Sequence, residues 1–224
     1  MSRELDVFLH FFFLAFALLS WRYTLPRNRR LAYIYFIGMY LLATCIGDGL
    51  AATIMLNRYL AKTLVSNLFL YHLLVPVQYA IIALIYGSVI SNDRIRRWIR
   101  FSIPVFLLLS FGTSISIQGI KEYNSYATLL KHGLVIVFVL IYFRELILDT
   151  PYAKIYHQPI FWISLGFLFH SALNIMLEGV SNYLQTYGKH QYDVVYFLYS
   201  TSNYCLFLLF GIGFLTSPKM EGDK

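Results

Sequence analysis

His170, Asn174 and Glu178 follow one another at intervals of four residues, and Tyr40, Thr44 and Asp48 repeat that spacing earlier in the chain. On an α-helix each such step drifts by only about 40°, so either triplet forms a stripe along one face. Imidazole, amide and carboxylate on one stripe can bind a metal, exchange a proton or orient a small polar ligand. Further polar residues stand within long apolar runs: Asp6 and His10, Tyr71, His72 and Gln78, Lys131 and His132, and Tyr196, Ser200 and Asn203.

Each chemistry makes its own demand on these residues. A zinc or iron site with an open position needs three or more N and O donors. His10, Asp48, His72, His132, His170 and Glu178 supply donors of that kind. They show no His-x-x-x-His or His-Glu-x-x-His spacing and no paired Cys, so no cofactor is expected unless scattered helices bring them together. A proton-responsive site needs groups that titrate near neutrality, and a free imidazole does so at about pH 6.5. His72, His132 and His170 can trade charge with Asp48 or Glu178. The commoner arrangement is plainer: buried Asp–Lys and His–acid pairs that fix how helices pack.

The elements that position these residues are membrane helices. The chain has 224 residues, of which 58% are hydrophobic and 13% charged, against about 25% charged in soluble domains. A hydrocarbon core about 30 Å thick takes roughly 20 apolar residues per helix. Seven stretches qualify, at about 5–22, 31–55, 67–90, 101–118, 126–144, 159–178 and 193–216. The expected fold is all-α, one polytopic seven-helix transmembrane bundle that uses the whole chain, 1–224. A β-barrel would need segments of about ten alternating residues, and the run Phe11-Phe12-Phe13-Leu14-Ala15-Phe16 does not alternate.

The net charge of +7 is unevenly spread. Arg22, Arg27, Arg29, Arg30, Arg94, Arg96, Arg97, Arg100, Arg144, Lys154, Lys219 and Lys224 fall on one side of the spans. Arg3, Arg58, Lys62, Lys121, Lys131 and Lys189 fall on the other, where six acids balance them. Basic loops stay in the cytoplasm, so the N-terminus is expected outside and the C-terminus inside. Trp21, Trp98 and Trp162 lie at the basic ends as interfacial anchors do. Met1-Ser2-Arg3-Glu4 is a poor basic leader, and cleavage after Ala17 would strand Arg22 to Arg30 outside, so the first span is expected to remain. The basicity is read as topology rather than as nucleic-acid binding.

Local features are few. Pro76 stands in mid-span and is expected to kink the third helix. The fourth span, without ionisable groups, is expected to face lipid, with Asp93 to Arg100 as a short interfacial turn before it. Cys45 and Cys205 lie inside spans and suggest packing rather than a disulfide.

The seven-span, N-outside layout resembles rhodopsins and G-protein-coupled receptors. Asp93-Arg94-Ile95, after the third span, is similar to the receptor Asp-Arg-Tyr motif. The departures are larger. Asn203-Tyr204-Cys205 stands where Asn-Pro-x-x-Tyr would, and the last span, Val194 to Leu215, has no lysine for a retinal Schiff base. Retinal is therefore excluded. The seven-span zinc amidohydrolases carry paired histidines in their last span, and this chain has none there. No family is assigned.

The resulting expectation is a receptor-like or sensory protein of the plasma or bacterial inner membrane. His170, Asn174, Glu178, Asp48, Thr44, His72, Gln78, Lys131, His132 and Asn203 would line an outward-facing polar cavity that takes a small ligand or protons. Besides the lipid bilayer, a membrane or cytoplasmic protein partner is expected, meeting Arg94, Arg96, Arg97 and Arg100. The alternatives are an intramembrane metal-dependent hydrolase of lipid-like substrates and a proton-coupled transporter.

Overall fold

A computed structural model of the chain describes residues 3–27, 31–61, 67–119, 124–149, 155–184 and 189–216. It is helical, in the order α1 (Arg3–Thr24), a 3-10 turn (Leu25–Arg27), α2 (Ala32–Ala61), α3 (Leu68–Val89), α4 (Asp93–Thr113) with a π-helical turn (Ser114–Gln118), α5 (Ser125–Asp149), α6 (Pro159–Leu184) and α7 (Lys189–Leu215). Each of the seven carries a stretch long and apolar enough to cross a membrane, from 19 residues in α7 to 26 in α2. In lipid a helix satisfies its backbone internally, which is why these uninterrupted apolar runs fold this way. The chain is a multi-pass membrane protein.

The helices close into a ring. α1 packs on α7 and α2, α2 on α3, α3 on α5, α5 on α6 and α6 on α7, while α4 lies outside against α3 and α5. Successive helices alternate in direction, so the bundle has two distinct ends. At one, the Trp21 indole donates to the Ile34 carbonyl at 2.8 Å, Thr24 donates to the Phe214 carbonyl at 3.0 Å, and Trp162 donates to the Tyr156 carbonyl at 2.9 Å. Arg22 and Arg94 to Arg100 belong to this arginine-rich end. Small residues let the helices approach there: a Cβ on Gly38 would overlap the Trp21 ring, and one on Gly213 would sit 2.9 Å from the Pro159 carbonyl oxygen.

One expectation changes. α4 begins at Asp93, not near residue 101, so the arginine stretch forms its first two turns. The cause is a helix cap: Asn92 Oδ1 accepts from the Arg94 and Ile95 amides at 3.0 and 3.2 Å. α3 runs from Leu68 to Val89 with the buried Pro76 inside it, and Pro76 brings no backbone N–H to the helix. Arg29, Arg30, Lys62, Lys121, Lys154, Lys219 and Lys224 lie outside the described residues.

Candidate functional site

The apolar helices supply a scaffold in which every polar side chain needs a partner, because lipid and core offer none. At the arginine-poor half these partners connect one helix to the next. Lys131 on α5 donates from Nζ to Gln78 Oε1 on α3 at 3.2 Å, and Gln78 Nε2 donates to Thr44 Oγ1 on α2 at 3.2 Å. All three side chains are buried. The ammonium interacts electrostatically with Glu178 on α6 and Asp48 on α2. Asp48 Oδ2 itself lies 2.9 Å from His10 Nε2 on α1, where the imidazole is wedged edge-on to Phe11 and Phe207. Tyr204 of α7 donates to the Asp6 carboxylate and carbonyl, closing α7 onto α1.

A second group continues from the next residue of α5. His132 Nδ1 stands 3.2 Å from Ser171 Oγ, and its ring meets that of His170 at 5.3 Å. The Asn174 amide donates to the His170 carbonyl at 2.7 Å and to Ser202 Oγ on α7 at 3.2 Å. The Ser202 proton goes to the Tyr199 carbonyl at 2.7 Å. Ser202 Oγ also lies 3.2 Å from His170 Nδ1, and that same ring nitrogen is 3.2 Å from the Asn174 amide nitrogen. With both amide protons spent, Asn174 Oδ1 on a wholly buried residue accepts no hydrogen bond among the described residues. A buried acceptor of that kind costs about 1–3 kcal/mol.

The network is closed on its arginine-rich side. Tyr40, Phe167 and Phe210 lie one or two turns nearer that end than Thr44, His170 and Ser202. Their rings meet at 5.3, 5.0 and 6.1 Å. Beside them the Tyr86 hydroxyl donates to Ser164 Oγ at 3.0 Å, tying α3 to α6. This aromatic layer puts apolar material between the polar groups and the arginine-rich face.

Of the residues singled out from sequence, His170, Asn174, Glu178, Asp48, Thr44, Gln78, Lys131 and His132 come together in this way. His72 does not join them: it faces α4, with Nδ1 2.6 Å from Ser114 Oγ. Six residues separate His72 from Gln78, which turns their side chains to different faces of α3. Asn203 is half-buried and makes no hydrogen bond among the described residues; its neighbour Ser202 supplies the α7 contact instead. Ser171, Ser202 and Tyr199 escaped the sequence reading because hydroxyl residues are common in membrane helices and their direction depends on helix rotation. The side chain of Tyr196 lies outside what is described.

Among the described residues no three His, Cys, Asp or Glu side chains converge as a metal would require. His10–Asp48 and His132–His170 each offer two donors at most, and Lys131 brings a competing positive charge. Cys45 and Cys205 are free thiols.

The four arginines of α4 divide. Arg96 pairs with Asp93, and Arg100 donates to the Gly87 carbonyl at 3.4 Å. Arg94 and Arg97, with Trp98 and Phe101, line an open groove of about 570 Å³. No protein-family model, no curated protein and no solved structure matches this chain.

Proposed function

We propose that the chain is a receptor-like, sensory membrane protein whose sensing element is the buried polar network around Lys131. The observation that carries this reading is the bonding of Lys131: it donates to the neutral amide of Gln78 while Asp48 and Glu178 act on it electrostatically. A buried cation held by an amide, with two carboxylates in range on two other helices, has more than one way to be satisfied. Adding a proton or a small polar ligand changes which helices it draws together. Asn174 Oδ1 is a ready acceptor for a donor brought into the same place.

In this reading the arginine-rich end faces the cytoplasm, by the bias of basic residues, and the sensing network opens outward. The aromatic layer of Tyr40, Phe167 and Phe210 favours sensing over transport, since the rings of Phe167 and Phe210 carry no polar group on which a path could continue. The described loops at the arginine-rich end are short, so the shift passes to a partner protein there. The chemistry of the stimulus is a proton or a compact ligand with hydrogen-bond donors.

Tryptophan emission tests it. The three tryptophans all stand at the arginine-rich end, away from the network, and report helix movement there. In lipid nanodiscs titrated from about pH 8 to pH 5, wild-type emission is expected to shift and the Lys131→Met and Asp48→Asn variants to stay flat. A flat wild type removes the proton arm and leaves a ligand, sought by thermal-shift screening of small polar amines and amides. A shift that survives in both variants sinks the reading, because it then arises elsewhere, for example at the exposed His157. Elemental analysis separates the metal-hydrolase alternative: stoichiometric zinc or iron that disappears in His170→Ala would replace sensing with catalysis.

A further inference from the structure

The groove at the start of α4 is a concave, charged surface at the arginine-rich end. Its lining combines two kinds of side chain. The Arg94 guanidinium makes no hydrogen bond or ion pair among the described residues, and Arg97 reaches only the Asp93 carbonyl through Nε at 3.4 Å. Trp98 and Phe101 form the other wall, edge to face at 6.2 Å, and both are exposed. Asp93 is taken by Arg96, and Glu145 on α5 accepts from the Ser91 amide at 2.7 Å and the Asn92 amide at 3.4 Å. The nearby acids are thus engaged, and the groove keeps a net positive lining.

Below the groove α4 continues as an exposed apolar stripe of Phe101, Val105 and Leu108, at helical spacing over roughly 10 Å. The charged mouth and the stripe are continuous through Phe101. We propose that this groove is a binding site for one anionic phospholipid. Its phosphate is held by Arg94 and Arg97, its glycerol backbone lies against Trp98, and an acyl chain runs along Phe101, Val105 and Leu108. A planar guanidinium fork suits phosphate oxygens, and Trp at the headgroup level suits the interface. A protein partner would bury the Arg pair without needing the apolar stripe that runs into the hydrocarbon. A soluble phosphate would leave that stripe unused. The inference stands apart from the sensory reading and does not need it.

Brominated lipids test it, with the full chain reconstituted in phosphatidylcholine vesicles. Bromines near a tryptophan quench it, so dibrominated phosphatidylglycerol is compared with dibrominated phosphatidylcholine at equal mole fraction. At roughly a fivefold gain in lipid residence for each of two basic residues at the surface, phosphatidylglycerol should give the stronger quenching. That excess should vanish in Trp98→Phe and in Arg94→Gln/Arg97→Gln, and persist in Arg96→Gln. Unchanged quenching by brominated phosphatidylcholine in the double-Gln variant shows that it still folds and inserts. Equal quenching of the wild type by the two lipids overturns the site. So does an excess that survives the double substitution, one lost equally in Arg96→Gln, or one abolished by soluble glycerol phosphate.

Discussion

Lys131 and Gln78 are joined across α5 and α3 by one hydrogen bond of 3.2 Å, and the same Gln78 amide passes a second bond of 3.2 Å to Thr44 on α2. An amide that accepts at one end and donates at the other has its orientation fixed by both neighbours. Three helices are thus held in register by a single side chain. The charge at its acceptor end also serves Asp48 and Glu178. Lys131→Met should therefore lower the unfolding free energy by about 3–5 kcal/mol, since the buried Glu178 and the part-buried Asp48 lose a cation. Adding Glu178→Gln should recover part of that loss. Detergent unfolding midpoints of the single and double variants check this, and strictly additive costs would show that the groups do not act on one another.

The His10–Asp48 contact ties α1 to α2 at 2.9 Å, with both side chains about one-fifth exposed. Polar contacts between membrane helices couple by about 0.6 kcal/mol on average and at most about 1.7. A double-variant cycle of His10→Ala and Asp48→Asn should return a coupling inside that range. A value indistinguishable from zero would mean that the two groups are solvated separately.

The scaffold was largely legible in the sequence because its cause is local. Apolar length sets each span, and the seven stretches agree with the seven helices apart from their ends. The miss at α4 has a physical origin: the count of apolar residues begins near Phe101, whereas the helix begins where Asn92 can cap it. Face assignments were legible wherever i, i+4 spacing fixed them, as for His170 and Asn174. The six-residue step from His72 to Gln78 already separates their faces, but the face of Asn203 was not legible, because helix rotation depends on packing partners that no spacing reveals. The reach of Lys131 to helices 47 to 83 residues away in sequence belongs to the same class. What the site responds to is not written in either, since a closed network satisfies most of its own groups.

Close helix approach gives a sharper test of packing. A Cβ on Gly213 would lie 2.9 Å from the Pro159 carbonyl oxygen and 3.0 Å from Trp162 Cβ, whereas one on Gly133 would meet nothing within 4 Å. Backbone cannot swing aside as a flexible side chain can. Gly213→Ala should therefore cost about 1–3 kcal/mol by overpacking, while Gly133→Ala should be neutral or gain up to about 1 kcal/mol in a helix interior. Thermal denaturation in one detergent compares the pair directly; equal behaviour of the two would place α6 and α7 farther apart than described.

The outer position of α4 predicts that it can be loosened by itself. Besides the Arg100–Gly87 bond, its attachment to α3 includes the Tyr79–Phe106 stack at 3.9 Å, the Tyr79–Ser102 hydrogen bond at 2.6 Å and, from the turn that follows α4, the His72–Ser114 contact at 2.6 Å. Two of these three belong to Tyr79, a fully buried side chain. Tyr79→Phe keeps the stack and gives up one hydrogen bond, a loss of about 0.5–1.5 kcal/mol. Tyr79→Ala gives up the bond and the ring together and leaves a cavity, for about 3–5 kcal/mol. Because α1, α2, α5, α6 and α7 bind one another without α4, the larger loss should appear as faster amide exchange confined mainly to α4 and the neighbouring turn of α3. Exchange rising equally in α6 and α7 would mean instead that α4 is part of the same cooperative unit, since a peripheral helix released alone cannot unprotect helices it does not touch.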